Sequence, residues 1–68
     1  MAERLGNRLR EFRGECALTQ AALAELVGVS RKTINTVENG VFIPSAVLAL
    51  RIARALERPV EEIFFLED

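Results

Sequence analysis

The chain of 68 residues has no histidine and one cysteine, Cys16. No disulfide can close within it, and no zinc site can be built from Cys and His ligands. Cys16 is expected as a small core residue near the end of the first helix. No apolar run approaches the roughly 18 residues of a membrane-spanning helix, and no signal peptide is visible, so the chain is expected in the cytoplasm and off the membrane. Glycine-rich phosphate loops, internal repeats, linkers and low-complexity segments are also missing. No acid/base set converges: Glu61 and Glu62 are neighbours on a helix and face different directions. Together these absences argue against an enzyme and leave no catalytic residue, metal or cofactor to expect. A basic excess is lacking too. The formal net charge is −1 and the pI about 5.4, whereas a nucleic-acid footprint is usually basic. The distribution softens that average. Residues 1–40 carry six Lys/Arg against five Asp/Glu, and residues 41–68 carry three against five. Any non-specific affinity for DNA is expected to be weak, with a shallow salt dependence per protomer.

What is present is apolar and helical. Half of the residues are hydrophobic, generous for a single domain of this size, which buries only a modest fraction of its surface. Leu5, Leu9, Phe12 and Cys16 recur at spacings of four, three and four, predicting a first helix over residues 3–16. Gly6 and Gly14 each cost such a helix about 1 kcal/mol. Arg4, Arg8 and Arg10 point away from its stripe. Thr19 caps a second helix over residues 20–27, and a third runs over 31–38 until Asn39-Gly40 turns the chain. Val41, Phe42 and Ile43 form an apolar connection. Pro44 and the cap Ser45 open a fourth helix, with Ala46, Ala49, Leu50, Ala53 and Leu56 as its expected buried stripe and Val47 and Ile52 on the margins. Pro59 is expected at the first position of a short fifth helix, whose Val60, Ile63 and Phe64 face the core. No strand pattern is convincing beyond an extended tail at Phe64–Leu66.

The stretch from Gln20 to Asn39 carries the functional signal. Leu23, Ala24 and Val27 fall on one helical face, and Ala24 is small enough for a second helix to cross closely. Gly28 supplies the left-handed conformation that closes a helix, Val29 plugs the corner, and Ser30 caps the helix after it. Ile34 and Val37 then give that helix two buried positions, while Arg31, Lys32, Thr33, Asn35 and Thr36 are all polar. Two short helices joined by such a turn form the unit that lays its second helix into a DNA major groove. Arg31 and Lys32 are long donors able to reach guanine O6 and N7, and Thr33 and Thr36 suit a thymine methyl or a phosphate. A plain helical hairpin with a solvated face would carry the same spacing without the function.

Arg13, Leu18-Thr19-Gln20, Ala24, Gly28-Val29-Ser30, Ile34, Glu38-Asn39-Gly40, Pro44-Ser45 and Ile52-Ala53, in one frame, resemble the phage repressor/Cro-type (Xre family) helix-turn-helix. The resemblance covers nearly the whole chain and is strongest to short bacterial members that consist of this domain alone. It implies an all-α fold: a compact five-helix, lambda-repressor-like DNA-binding domain over residues 1–68, with the helix-turn-helix at its second and third helices, about 19–38. It implies base contacts from Arg31, Lys32, Thr33 and Thr36. It implies DNA backbone contacts from Gln20, Ser30, Asn35 and Asn39, with Gln20 also bracing a side chain of the reading helix. Arg13 and Glu38 match a structural ion pair of the family. Three positions depart from its pattern. Val41 stands where a Lys or Arg often meets the DNA backbone, Ala17 replaces a frequent glycine, and Arg58 precedes Pro59 where a capping Ser, Thr or Asp is usual.

The partner so implied is double-stranded DNA. One helix reads few base pairs, so a homodimer on a pseudo-palindromic operator is expected, with half-sites about 34 Å apart. The apolar end of the chain, Phe64, Phe65 and Leu66 within a dimerisation segment at 59–68, is the expected interface. Repression by blocking polymerase is the simplest output, and contact with RNA polymerase through Glu61, Glu62, Glu67 and Asp68 would instead activate. The alternative class is a protein-interaction module, such as an antitoxin-like partner, that keeps the fold and not the reading surface.

Overall fold

A computed structural model describes residues 3–67. The order of elements is β1 (Arg4–Asn7), α1 (Leu9–Glu15), α2 (Gln20–Val27), α3 (Arg31–Glu38), α4 (Ala46–Leu56), α5 (Val60–Ile63) and β2 (Phe64–Glu67). The five helices stand in the expected places, but the fold is not all-α. β1 and β2 pair as an antiparallel ribbon in the register Arg4↔Glu67, Leu5↔Leu66, Gly6↔Phe65 and Asn7↔Phe64. Asp68, expected with the acidic residues of the C-terminus, lies outside the described residues. None of the helices described is long and apolar enough to cross a membrane.

The strand β1 replaces the first turns of the expected first helix. Its explanation lies at Gly6, which faces Phe65 across the ribbon. A Cβ at Gly6 would stand 2.5 Å from Phe65 Cε1 and 2.9 Å from Glu67 Cδ, so the aromatic ring occupies the space that a side chain would fill. Cross-strand pairs of this kind are the unit of sheet stabilisation. Asn7 then fastens the ribbon to the helices. Its Oδ1 accepts from Leu9 N at 3.1 Å at the start of α1, and its Nδ2 donates to the Val37 carbonyl at 3.0 Å in the last turn of α3. Arg8 N donates to Ile63 O at 2.8 Å.

The other helix starts follow local chemistry. Thr19, Ser30 and Ser45 each accept a hydrogen bond from the backbone N–H three residues on, at 3.0 or 3.1 Å, satisfying donors that a helix start leaves open. Pro59 is the N-cap of α5, one position outside the expected place, and the Pro59 carbonyl accepts from Glu62 N at 3.0 Å. Gly28 closes α2 with φ +78°. Gly40, at φ +75°, closes α3, with Val41 N donating back to Thr36 O at 2.9 Å.

Leu9, Phe12, Leu23, Ala24, Val27, Ile34, Val37, Leu48, Ile52, Ala53, Leu56, Ile63 and Phe64 form one buried cluster. Two expectations about this core are corrected. Cys16 is exposed, because α1 ends at Glu15 and the chain reverses before a fourth stripe position can reach the interior. The buried face of α4 is Leu48, Ile52, Ala53 and Leu56, while Val47 and Leu50 are 59% and 58% exposed. Ala46 is exposed as well. This helix is apolar on most sides, so several stripes fit its sequence, and the one chosen puts the larger side chains Leu48 and Ile52 inside.

Ala17 sits at φ +56°, the conformation of the glycine it replaces. Leu18 N bonds Arg13 O at 3.1 Å across it, closing α1 as Gly40 closes α3. An L-residue there costs about 1–2 kcal/mol, offset in part by the smaller entropy of its unfolded chain, about 0.4–1 kcal/mol. Ala17→Gly is therefore expected to raise stability by about 0.5–1 kcal/mol in urea unfolding; a fall would mean that this turn holds alanine without strain.

Candidate nucleic-acid interface

α3 is an eight-residue helix with two faces. Ile34 and Val37 are 0% and 1% exposed and pack into the core against α2. Arg31 and Lys32, in its first turn, are exposed, and Thr33, Asn35 and Thr36 are half-buried. The turn that presents it is held by Gly28 and Val29, whose N–H groups both donate to Ala24 O, at 2.9 and 3.0 Å. Ser30 spends its hydroxyl locally, accepting from Thr33 N at 3.1 Å with its Oγ 3.0 Å from Thr33 Oγ1. Thr36 Oγ1 donates to Thr33 O at 3.0 Å. With these hydroxyls engaged, Arg31 and Lys32 are the side chains of α3 free to extend from its first turn.

Beneath them runs a continuous polar network. Glu38, whose side chain is 0% exposed, receives Arg13 Nε at 2.6 Å on Oε2. Its Oε1 receives Arg13 Nη2 at 3.3 Å, Gln20 Nε2 at 3.0 Å and Arg10 Nε at 3.3 Å. Arg13 is itself 15% exposed and donates through Nη1 to the Leu18 carbonyl at 2.8 Å. Gln20 Nε2 also meets Asn35 Oδ1 at 3.1 Å, and its Oε1 accepts from Arg31 Nη1 at 3.1 Å. The amide is thus oriented by both neighbours: its donors face the carboxylate and Asn35, and its acceptor faces the guanidinium. Asn39 donates to Asn35 Oδ1 at 3.4 Å and accepts from Arg10 Nη2 at 3.2 Å.

Gln20, Asn35, Asn39, Arg31, Arg13 and Glu38 are therefore brought into one assembly, whereas Lys32 projects beside it. Asn35 is turned into the network and Thr36 onto its own helix. Arg10 points away from the apolar stripe, as expected, and belongs to the assembly as well, a role not expected from the sequence. Its spacing of three from Arg13 was the available signal, because residues three apart on a helix share a face. At the other end of the chain, Phe64 is 8% exposed and belongs to the protomer's own core, and Phe65 is half-buried against Gly6. Of the three residues expected at a two-fold interface only Leu66, 68% exposed, is fully available. Among the described residues no cluster of three His, Cys, Asp or Glu side chains could hold a metal ion.

Residues 4–64 match the family described as the helix-turn-helix domain. An HTH-type transcriptional regulator of Methanothermobacter thermautotrophicus is 54% identical over 61 residues, covering 88% of each chain. The chain belongs to the helix-turn-helix family of transcriptional regulators. Among solved structures, the restriction-modification controller protein C.AhdI from Aeromonas hydrophila has a TM-score of 0.77 at 40% identity, covering 81% of this chain and 80% of that one. The P22 c2 repressor, solved in complex with a synthetic operator, also gives a TM-score of 0.77, at 31% identity and with 79% and 82% covered. These likenesses place this regulator with the repressor/Cro type, a class of regulators and not of enzymes.

Burial alone would push the Glu38 carboxyl up. Hydrogen bonds from Arg13 and Gln20, the charge of Arg13 and the bond from Arg10 outweigh it and hold the carboxyl below its ordinary value. A carboxyl depressed in the folded state stabilises the fold above its unfolded value, about 4.3, and that contribution is lost as pH falls through the folded value. The difference in thermal midpoint between wild type and Glu38→Gln is expected to be largest above about pH 5 and to shrink on acidification. A difference that stays constant into strong acid would show that the carboxyl is not held low.

Proposed function

We propose that this protein is a sequence-specific DNA-binding transcriptional repressor that acts as a homodimer on a pseudo-palindromic operator. The observation that carries the reading is the braced guanidinium of Arg31. It stands exposed at the first turn of α3 with Gln20 bonded behind it, while the neighbouring carboxylate, Glu38, is fully buried. A guanidinium so placed can donate two bonds to guanine O6 and N7, a pairing worth about 1–3 kcal/mol of discrimination. In this reading α2 and α3, residues 19–38, form the helix-turn-helix. Lys32 reads bases beside Arg31, and Thr33 and Thr36 join it by exchanging their local hydroxyl bonds for DNA. Gln20 and Asn39 at the rim, with Ser30 and Asn35 on the same exchange of local bonds, set the surface against the DNA backbone. The operator bound by the P22 c2 repressor supports double-stranded DNA as the ligand class.

The dimer is supported by the apolar surface the protomer leaves open. Val41 is 77% exposed and Ile43 71%. Ile43 lines a shallow cleft with Leu5 and Leu66, joining the end of the chain to the connection after α3. In this reading the two-fold interface is built there, with Leu66 as the contribution of residues 59–68. The same apolar connection, with the net charge of −1, favours the second reading, a protein-interaction module; the exposed Arg31 and Lys32 favour DNA.

Selection of the purified protein against a random duplex library, at about 100 mM salt, a range in which phosphate contacts still count, tests the function. An enriched inverted repeat that is lost in Arg31→Ala/Lys32→Ala is expected. A folded wild-type protein that enriches no sequence would turn the assignment to the protein partner. For the interface, Ile43→Asp/Leu66→Asp is expected to halve the mass seen by light scattering, and an unchanged mass would place the dimer contacts elsewhere.

A further inference from the structure

We propose that Arg10 of α1 is a DNA phosphate-binding residue, supplying the positive charge that Val41 does not. The proposal rests on the DNA-binding reading and adds a contact from a helix outside the α2–α3 pair. Its basis is an imbalance of charge around Glu38. One carboxylate is met by two guanidinium groups, so the trio carries a surplus of one positive charge. Arg13 is the inward member. It is 15% exposed and gives Glu38 a 2.6 Å ion pair and Leu18 a backbone hydrogen bond. Arg10 is the outward member, 66% exposed and at the longer distance of 3.3 Å from the carboxylate. The surplus charge is therefore presented by Arg10, at the surface.

The position of that charge suits a phosphate. Arg10 and Gln20 donate to the same oxygen, Glu38 Oε1, which sets the guanidinium beside the Gln20 amide. Its Nη2 reaches Asn39 Oδ1 at 3.2 Å, at the C-terminal end of α3. Arg31, Gln20, Arg10 and Asn39 so form one rim from the first turn of α3 to its end. An eight-residue helix rises on the order of 12 Å, comparable to the roughly 12 Å width of the major groove. With the first turn reading base edges, the far end of α3 comes up against flanking backbone. A guanidinium there can meet phosphate with paired, charge-assisted hydrogen bonds. Turning to it costs Arg10 little. Arg10 is the exposed member and holds the carboxylate at the longer distance, and Glu38 keeps Arg13 and Gln20 when Arg10 leaves.

The test is the affinity for the selected operator between about 50 and 200 mM salt, where each neutralised phosphate adds about 0.9 to the slope of log K against log salt. Arg10→Gln is expected to make that slope shallower by about 0.9 per protomer, to weaken all operator variants alike, and to leave the ranking of base-substituted operators intact. Arg10→Lys is expected to restore most of the slope. Thermal unfolding of each variant confirms that the protein assayed is folded. A wild-type slope in a folded Arg10→Gln protein would overturn the proposal, as would a change in base preference in place of slope. No binding by the wild-type chain would instead overturn the DNA-binding reading, and this contact with it.

Discussion

The carboxylate of Glu38 is the point on which three helices are assembled. It closes α3 from the inside, takes Arg13 from α1 and takes Gln20 from the first turn of α2. A buried carboxylate is expensive unless paired and hydrogen-bonded, and here both oxygens are engaged. The arrangement is one-sided in its energetics. Replacing the whole set with apolar groups could leave stability unchanged, but removing one member strands the others, at a cost of about 3–5 kcal/mol when burial is complete. In a domain of 68 residues, whose total stability is on the order of 3–10 kcal/mol, that is a large share. The ion pair therefore constrains the relative placement of α1, α2 and α3 more than it adds to their attraction, and the apolar cluster supplies the attraction.

Around this polar centre the two ends of the chain close on each other. The ribbon of β1 and β2 depends on Gly6 having no side chain and on Phe65 filling the space. Asn7 couples it to α3 by donating to the Val37 carbonyl at the end of the helix, which also accepts from Gly40 N at 3.1 Å in the closing turn. The last turn of α3 is thus gripped from two sides, by Asn7 on the backbone and by Arg10 and Arg13 on the side chain of Glu38. Its first turn is anchored on the inner side by Ile34, while its outer side carries only the Ser30 cap and the Arg31–Gln20 bond, which leaves that side free to meet another molecule.

What was legible in the sequence was mostly local. Thr19, Ser30, Ser45, Gly28 and Gly40 announce helix ends because capping and left-handed turns depend on a residue and its next few neighbours. Of the ribbon only the extended tail at Phe64–Leu66 was legible, as part of β2; β1 and the pairing were not. Leu5 keeps helical spacing to Leu9, and the residue that rules out a helix there is Phe65, far along the chain, whose ring needs Gly6 bare. The face of α4 was hidden for a different reason. Apolar residues surround that helix, and periodicity cannot choose among stripes that packing alone distinguishes. At the candidate site, residue types and family likeness pick out Arg13, Gln20, Arg31 and Glu38, but not that one network contains them all. Arg10 lies off the apolar stripe of α1 and so reads as an ordinary surface charge, although it stands one turn back from Arg13, which borders that stripe.

The network also links a residue with no exposure to the chemistry of the surface. An amide side chain has a donor end and an acceptor end, and in solvent either can face outward. Glu38, ionised and held so by Arg13, accepts only. It draws the Gln20 NH₂ inward, with Asn35 Oδ1 acting in the same direction. The acceptor end of Gln20 is then the one left for Arg31, so the guanidinium is braced by an oxygen and not repelled by an amine. A neutral or inverted partner at 38 would remove that polarity without touching α3's outer face. Fold stability and the orientation of the reading side chain thus depend on the same buried charge.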